Sequence, residues 1–309
     1  MISKRYRRVV LIIAFVLALA VSTQLGRAHF RSPFTLPTTP AVPPPAPEHD
    51  LAVEHSLTSS SFERNLRDIQ AGKLEGYRLF ESKTNGKGQG AGAWHQENAE
   101  PGYTCVHEER IGPYGDGGKW VCDPHKLRIK GSACLVYSVG SSDDFRFEND
   151  ILQKVSSDCE IHVFDHTVPN PTTKPPAVHY HAYGLSVHSS GNLRTLKDIV
   201  NELGHAGRTI DIFKIDCEGC EWVTFNSWFE APVTINEILV EVHAGTAEPS
   251  NNPPAKQFMQ TMFDNEMLIF HKEPNIQFSG GDSLCVEYAF TRVSSDVVAA
   301  VPKLPNSEN

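Results

Sequence analysis

Thirteen residues at 210–222, reading I-D-I-F-K-I-D-C-E-G-C-E-W, constrain this chain more than any other stretch. Apolar side chains at Ile210, Ile212, Phe213 and Ile215 within so short a span predict a strand buried on both faces, as in a parallel sheet. Asp216 and Glu218 follow where that run stops at Gly219. Buried carboxylates are costly unless paired, hydrogen-bonded or put to use. Gly219 permits a sharp turn, and 220–229 reads as a helix after it. In an open α/β sheet, ligands lie beyond the carboxyl ends of the strands, where Asp216 and Glu218 are expected. The stretch is therefore the expected floor of a site.

The rest of the chain repeats the alternation. Strands are expected at 134–139, 160–164, 178–186, 210–216 and 236–243, with 267–271 and 284–293 closing the sheet. Helices are expected at 144–155, where Phe147, Ile151 and Val155 recur every four residues, and at 193–203 and 258–265. Strands alternating with helices demand a mainly parallel, doubly wound sheet with helices on both faces.

Polar residues gather at the ends of these strands. Gly140-Ser141-Ser142 precedes a helix, whose first N–H groups are free to meet a ligand. Asp165 closes the next strand, at the distance beyond a glycine turn where an acid can accept from ribose hydroxyls. Glu241 and His243, two apart on one strand, share a face beside Asp216 and Glu218. General base, hydroxyl binding and a carboxylate–imidazole metal site are all open to that quartet, and His243 is the best base by intrinsic pKa. The segment 111–124, I-G-P-Y-G-D-G-G-K-W-V-C-D-P, is either a tight turn pinned by Trp120 or a loop closing on the ligand, with Lys119 and Trp120 against the substrate.

V-Y-S-V-G-S-S-D-D-F-R-F-E, V-F-D, F-K-I-D-C-E-G-C-E-W and L-V-E-V-H together resemble the S-adenosylmethionine-dependent methyltransferases of the FkbM-like type. The resemblance runs over about residues 100–295, and D-G-G-K-W-V-C is shared with membrane-anchored methyltransferase-domain proteins. It implies a Rossmann-like sheet of seven strands with one antiparallel strand near the edge, and S-adenosyl-L-methionine as cofactor. It also implies that Gly140, Ser141 and Ser142 hold the methionine part, that Asp165 holds the ribose, and that Asp216 to Glu218 form the floor. Asp216, Glu218 and His243 are then the expected catalytic groups, with Glu241, Lys119 and Trp120 on the acceptor side and Asp216 also near the cofactor.

The first sixty residues belong to something else. Lys4, Arg5, Arg7 and Arg8 precede an apolar run, so 1–8 reads as a cytosolic tail and 9–25 as a signal-anchor, or as a signal peptide cleaved to release a secreted chain. Pro, Thr and Ala dominate much of 26–61, a stem that cannot bury enough surface to fold. A lead-in (62–130, opening with a helix at 62–71), the methyltransferase domain (131–295) and a C-terminal tail (296–309) follow. The glycine-rich 86–92 follows no strand and reads as a loop. This layout predicts a type II protein of the ER or Golgi with its domain in the lumen, methylating an oxygen of a glycan or small acceptor.

Net charge is −9 with the four tail cations contributing +4, leaving −13 on the rest; no nucleic-acid partner is expected. Of the seven cysteines, Cys105 and Cys122 are candidates to pair, while Cys134 and Cys217 read as small buried hydrophobes. Cys217-x-x-Cys220 reads as part of the motif rather than a metal or redox site, and His179, His181 and His188 as a polar strand edge and loop. No metal is expected. The rival functions are a dinucleotide oxidoreductase, which lacks its second and third glycines here, a glycosyltransferase, for which Asp216-Cys217-Glu218 is a loose metal motif, and a catalytically silent nucleoside-binding protein.

Overall fold

The computed structural model describes residues 95, 98–243, 253–280 and 283–294. The tail, anchor and stem (1–61), the helix at 62–71, the glycine-rich 86–92 and the tail at 296–309 lie outside the described residues. Among the described residues no helix is long and apolar enough to cross a membrane.

A hairpin of β1 (Glu108–Ile111) and β2 (Lys119–Cys122) opens the described part and leads through α1 (His125–Lys130) into the sheet. Then come β3 (Leu135–Val139), α2 (Arg146–Asp150, continued by a wider turn to Val155), β4 (Glu160–Phe164) and β5 (Val178–His181). A two-stranded pair, β6 (Gly184–Leu185) and β7 (Leu193–Arg194), precedes α3 (Leu196–Glu202). β8 (Thr209–Ile215), α4 (Cys220–Thr224, running into a tighter turn to Glu230), β9 (Thr234–His243), α5 (Pro253–Asp264), β10 (Met267–Gly280) and β11 (Ser283–Arg292) complete the domain.

The main sheet has seven strands in the order β10-β11-β9-β8-β3-β4-β5. Strands β5, β4, β3, β8 and β9 are mutually parallel, and β11 runs antiparallel to both β9 and β10. The chain moves outward from β3 to β5, then returns to the other side of β3 with β8. Between β3 and β8 the winding therefore reverses, and in open α/β sheets this switch point at the carboxyl ends of the strands is where the ligand crevice lies.

Side-chain alternation along buried strands feeds two cores, one per face. Leu135, Tyr137 and Val139 of β3 join Ile199 of α3, Trp222 of α4 and Phe258 of α5 on one face. Val136 joins Phe147, Ile151, Val155 and hairpin residues Ile111 and Val121 on the other. The four-residue spacing in 144–155 thus does seat one apolar face on the sheet. Thr195 begins α3, its side chain accepting from the Asp198 N–H, so this helix starts at 196 and the two residues expected as its first turn form β7 instead.

Two expectations about cysteine are corrected. Cys134 and Cys217 are not isolated buried thiols: disulfides join Cys134 to Cys159 and Cys217 to Cys220, alongside the expected Cys105–Cys122. Cys134 and Cys159 each immediately precede a strand, and the register Leu135↔Glu160 sets them side by side. That pairing is a property of the sheet, invisible to spacing.

Candidate functional site

Strand register levels three loop starts at one edge. Val139 is opposite Phe164 on one side and Ile215 on the other, so Gly140, Asp165 and Asp216 emerge together. Gly140 has φ of +82°, and a Cβ there would stand 1.7 Å from the Asp216 carbonyl oxygen. The two loops pass so closely that only glycine fits. Lys214 reinforces the contact, its Nζ donating to the Gly140 carbonyl oxygen at 3.0 Å. Ser142, Asp143 and Glu218 all adopt positive φ, so both loops hold backbone conformations that cost free energy.

Asp165 is buried and heavily hydrogen-bonded. Its Oδ2 accepts from the Ser141 N–H (2.9 Å), the Ser141 hydroxyl (3.1 Å) and the Ser142 N–H (2.8 Å). Its Oδ1 accepts from the Thr167 N–H (2.8 Å) and hydroxyl (2.6 Å). Burial alone would push the acid up, but these donors hold it at about 2, so it is an anion.

On the other side of the crevice a buried cation organises the carboxylates. Lys119 is 2% exposed, and its Nζ lies 2.5 Å from Glu287 Oε1, 3.3 Å from Asp216 Oδ2 and 3.6 Å from Glu241 Oε2. Burial disfavours the ammonium, yet Glu287, Asp216 and Glu241 together hold it protonated far into alkaline pH. One ammonium does not balance three buried acids. Asp216 is held well below the ordinary carboxylate range, because Lys119, Lys214 and His243 outweigh its burial. Glu287 is pushed up by burial and by Glu241 and Asp216, and Glu241 by burial and Asp216. Glu241 also accepts from the Asn275 amide at 3.0 Å.

His243 ends β9 with Nδ1 3.0 Å from Glu221 Oε1, while its Nε2 is 3.4 Å from Glu218 Oε2 and 4.0 Å from Asp216 Oδ1. Burial works against its charge, but Glu221, Asp216 and Glu241 raise it to about 9. His243 is thus an imidazolium at neutral pH, and the expectation from intrinsic pKa, a ready base, gives way to a group that starts out holding a proton. Glu221, fully buried at the start of α4, also accepts from the N–H groups of His243 and Gly219. Glu218 is 87% exposed at the rim, the most open carboxylate of the group.

The structure therefore brings Asp216, Glu218, Glu241 and His243 into one cluster, with Gly140, Ser141, Ser142 and Asp165 across β3 at the same edge. Lys119 joins from beneath, as a counter-ion rather than a surface facing a substrate. Trp120 is not in the cluster: it stacks on His271 at 4.2 Å, and its indole N–H donates to Glu273 at 2.9 Å. The hairpin turn is fastened by Arg110, which donates to the carbonyl oxygens of Pro113, Gly115 and Gly118, and not by Trp120. Sequence reasoning missed Glu221, Glu287 and Lys214. The first sits inside the 210–222 motif as an acid among apolar neighbours, which is a usable signal; Glu287 carries none, since only the pairing of β11 with β9 brings it opposite Glu241.

A family model described as "Methyltransferase domain" matches residues 62–292. No curated protein matches the chain. Among solved structures it is similar to one titled "Putative hemolysin from Streptococcus thermophilus", at 8% identity and TM-score 0.35, covering 57% of this chain and 70% of that one. It is also similar to 1,6-didemethyltoxoflavin-N1-methyltransferase of Burkholderia thailandensis with bound 1,6-didemethyltoxoflavin and S-adenosylhomocysteine, at 11% identity and TM-score 0.32, covering 82% of this chain and 94% of that one.

Proposed function

The chain belongs to this methyltransferase-domain family, and from that premise we propose an S-adenosylmethionine-dependent methyltransferase acting on an oxygen of a glycan or small acceptor. The observation that carries the reading is the strand edge where the sheet winding reverses, with the Gly140 loop and Asp165 on one side and an acidic cluster on the other. We infer the FkbM-like type from the K-I-D-C-E-G-C-E core.

The residues present suit such a cofactor. Two of the five donors on Asp165 are side-chain hydroxyls, Ser141 and Thr167, which can rotate away and yield their places to a ribose diol. The backbone donors of Ser141, Ser142 and Thr167 keep the carboxylate fixed meanwhile. The carboxylates around Asp216 complement a sulfonium, and the bound cofactor supplies a methyl group activated on that cation. Glu218, open at the rim, accepts a hydrogen bond from the attacking hydroxyl and takes its proton. His243, held as a cation, orients Glu218 through Nε2 and balances the charge beside Asp216. Much of the rate comes from holding the acceptor in line.

Three disulfides within the described residues support an oxidising compartment, and hence a domain in the secretory lumen behind the N-terminal apolar segment or secreted after its removal. Calorimetric titration of the full chain with S-adenosylhomocysteine tests the reading. Micromolar binding is expected, weakened about ten- to a hundredfold by Asp165→Ala, in keeping with the loss of charge-assisted hydrogen bonds. Absence of binding to the wild type at high micromolar ligand refutes it, and leaves a catalytically silent member of the family.

A further inference from the structure

Toward the opposite end of β4 from the crevice, six titratable side chains meet that methyl transfer does not use. Glu160 opens β4 and His162 follows two residues later on the same face. His205, in the turn after α3, reaches across to them. Glu160 Oε1 lies 2.9 Å from His162 Nε2 and 3.1 Å from His205 Nε2. Both imidazoles are buried, and each has its other nitrogen engaged: His162 Nδ1 with His181 Nε2 at 2.9 Å, and His205 Nδ1 with the Tyr137 hydroxyl at 2.6 Å. Arg208 fixes the carboxylate through Oε2 at 2.7 Å and leaves Oε1 to the imidazoles.

We propose that Glu160 Oε1, His162 Nε2 and His205 Nε2 form a binding site for a divalent ion of the zinc type, its fourth position open to solvent. Three features of the geometry point this way. Zinc ligands at about 2.0–2.2 Å in a tetrahedron stand about 3.3 Å from one another, and the two measured separations fall within a few tenths of an ångström of that. Two imidazoles and one carboxylate are the ligand types zinc takes where it keeps a position free. The outer partners already present are those that metal-bound histidines require, since each ring needs its second nitrogen held to fix orientation and tautomer.

Loading needs no proton to leave the site. Without metal, each Nε2–H donates to Glu160 Oε1. With metal, the Nε2 lone pairs bind the ion and each ring proton sits on Nδ1, where His181 Nε2 and the Tyr137 oxygen accept it; the His181 ring proton shifts to its own Nδ1 and the Tyr137 hydroxyl proton turns away from His205. Asp165 lies five residues along the chain from Glu160 and three from His162, roughly 16 Å and 10 Å, so the two sites share no ligand residue.

The test uses the full chain without a polyhistidine tag, titrated with Zn²⁺ in a competitive calorimetric assay. One zinc is expected per chain, and Glu160→Gln or His205→Ala should weaken binding about a hundredfold or more, whereas His188→Ala leaves it unchanged. Zinc K-edge absorption on the wild-type protein removes any dependence on variants that fold poorly, and it should read two imidazoles with oxygen completing the shell. Among the described residues two other clusters compete: Asp216, Glu218 and His243, and Glu241, His243 and Cys285, each offering a single imidazole and the second a thiol. One imidazole, a sulfur ligand, affinity indifferent to Glu160→Gln and His205→Ala, or no binding at all overturns the proposal.

Discussion

Replacing Lys119 by methionine removes the cation from beneath the crevice while keeping the volume of its stem. Asp216, Glu241 and Glu287, now 2.5–3.6 Å from an ammonium, are left facing one another with side-chain exposures of 19%, 4% and 8%. Removing one partner of a buried ion pair costs about 3–5 kcal/mol. That is a large share of a total stability of about 5–15 kcal/mol, and at about 2–4 °C per kcal/mol it lowers Tm by roughly 10 °C. The cost depends on pH in a defined direction. Without Lys119 all three folded pKa values rise, those of Glu241 and Glu287 further above their unfolded ones and that of Asp216 from below its own, so stability present at low pH is lost as pH rises through the folded values. With one positive charge gone the cluster retains about one more proton than wild type, which steepens the loss by about 1.4 kcal/mol per pH unit until the full penalty is reached. Urea unfolding of wild type and Lys119→Met, with disulfides intact, at about pH 5 and about pH 8, measures both quantities. A penalty below about 1 kcal/mol, or one that is the same at both pH values, shows that Lys119 does not hold these carboxylates together.

Three other outcomes follow from the same geometry. Glu221→Gln takes away the nearest charge on His243, so its pKa should fall by at least about one unit from about 9, read by NMR titration of the ring nitrogens. The wild-type share of stability from that imidazolium is complete below the ordinary histidine value and lost as pH rises through about 9, and the loss should shrink in the variant. Gly140→Ala forces a Cβ into the Asp216 carbonyl at positive φ and should cost more than about 2 kcal/mol by denaturant midpoint, whereas Gly131→Ala, with φ +55° and nothing within 4 Å of the added Cβ, should cost about 1 kcal/mol. Replacing Cys134 and Cys159 by serine opens a loop of sequence separation 25 and should lower stability by about 3 kcal/mol, checked by unfolding under non-reducing conditions.

Most of the sheet was legible from periodicity. The strand expected at 160–164 is β4 as observed, and those expected at 134–139, 210–216 and 236–243 shift by one or two residues at their starts or ends. β10 extends to Gly280, well past the expected 271, because its pairing with β11 and not its own pattern sustains it. The helix expected at 220–229 tightens after Thr224, where the Trp228 indole donates to the Thr224 hydroxyl at 3.0 Å.

What the sequence determined by itself was local: a backbone repeat of two or of 3.6 residues appears directly in the order of apolar side chains, and glycines and acids that follow such runs mark the edge where ligands bind. Asp216, Asp165 and Gly140 were placed at one edge of the sheet that way, and the strand register sets them level there. The tertiary structure alone decided which acids share Lys119, that His243 carries a proton, which cysteines pair, and that His205 meets Glu160 and His162. Charge state, disulfide pairing and ligand geometry depend on distances of a few ångströms between residues up to 168 positions apart, and only the closed sheet brings such residues together.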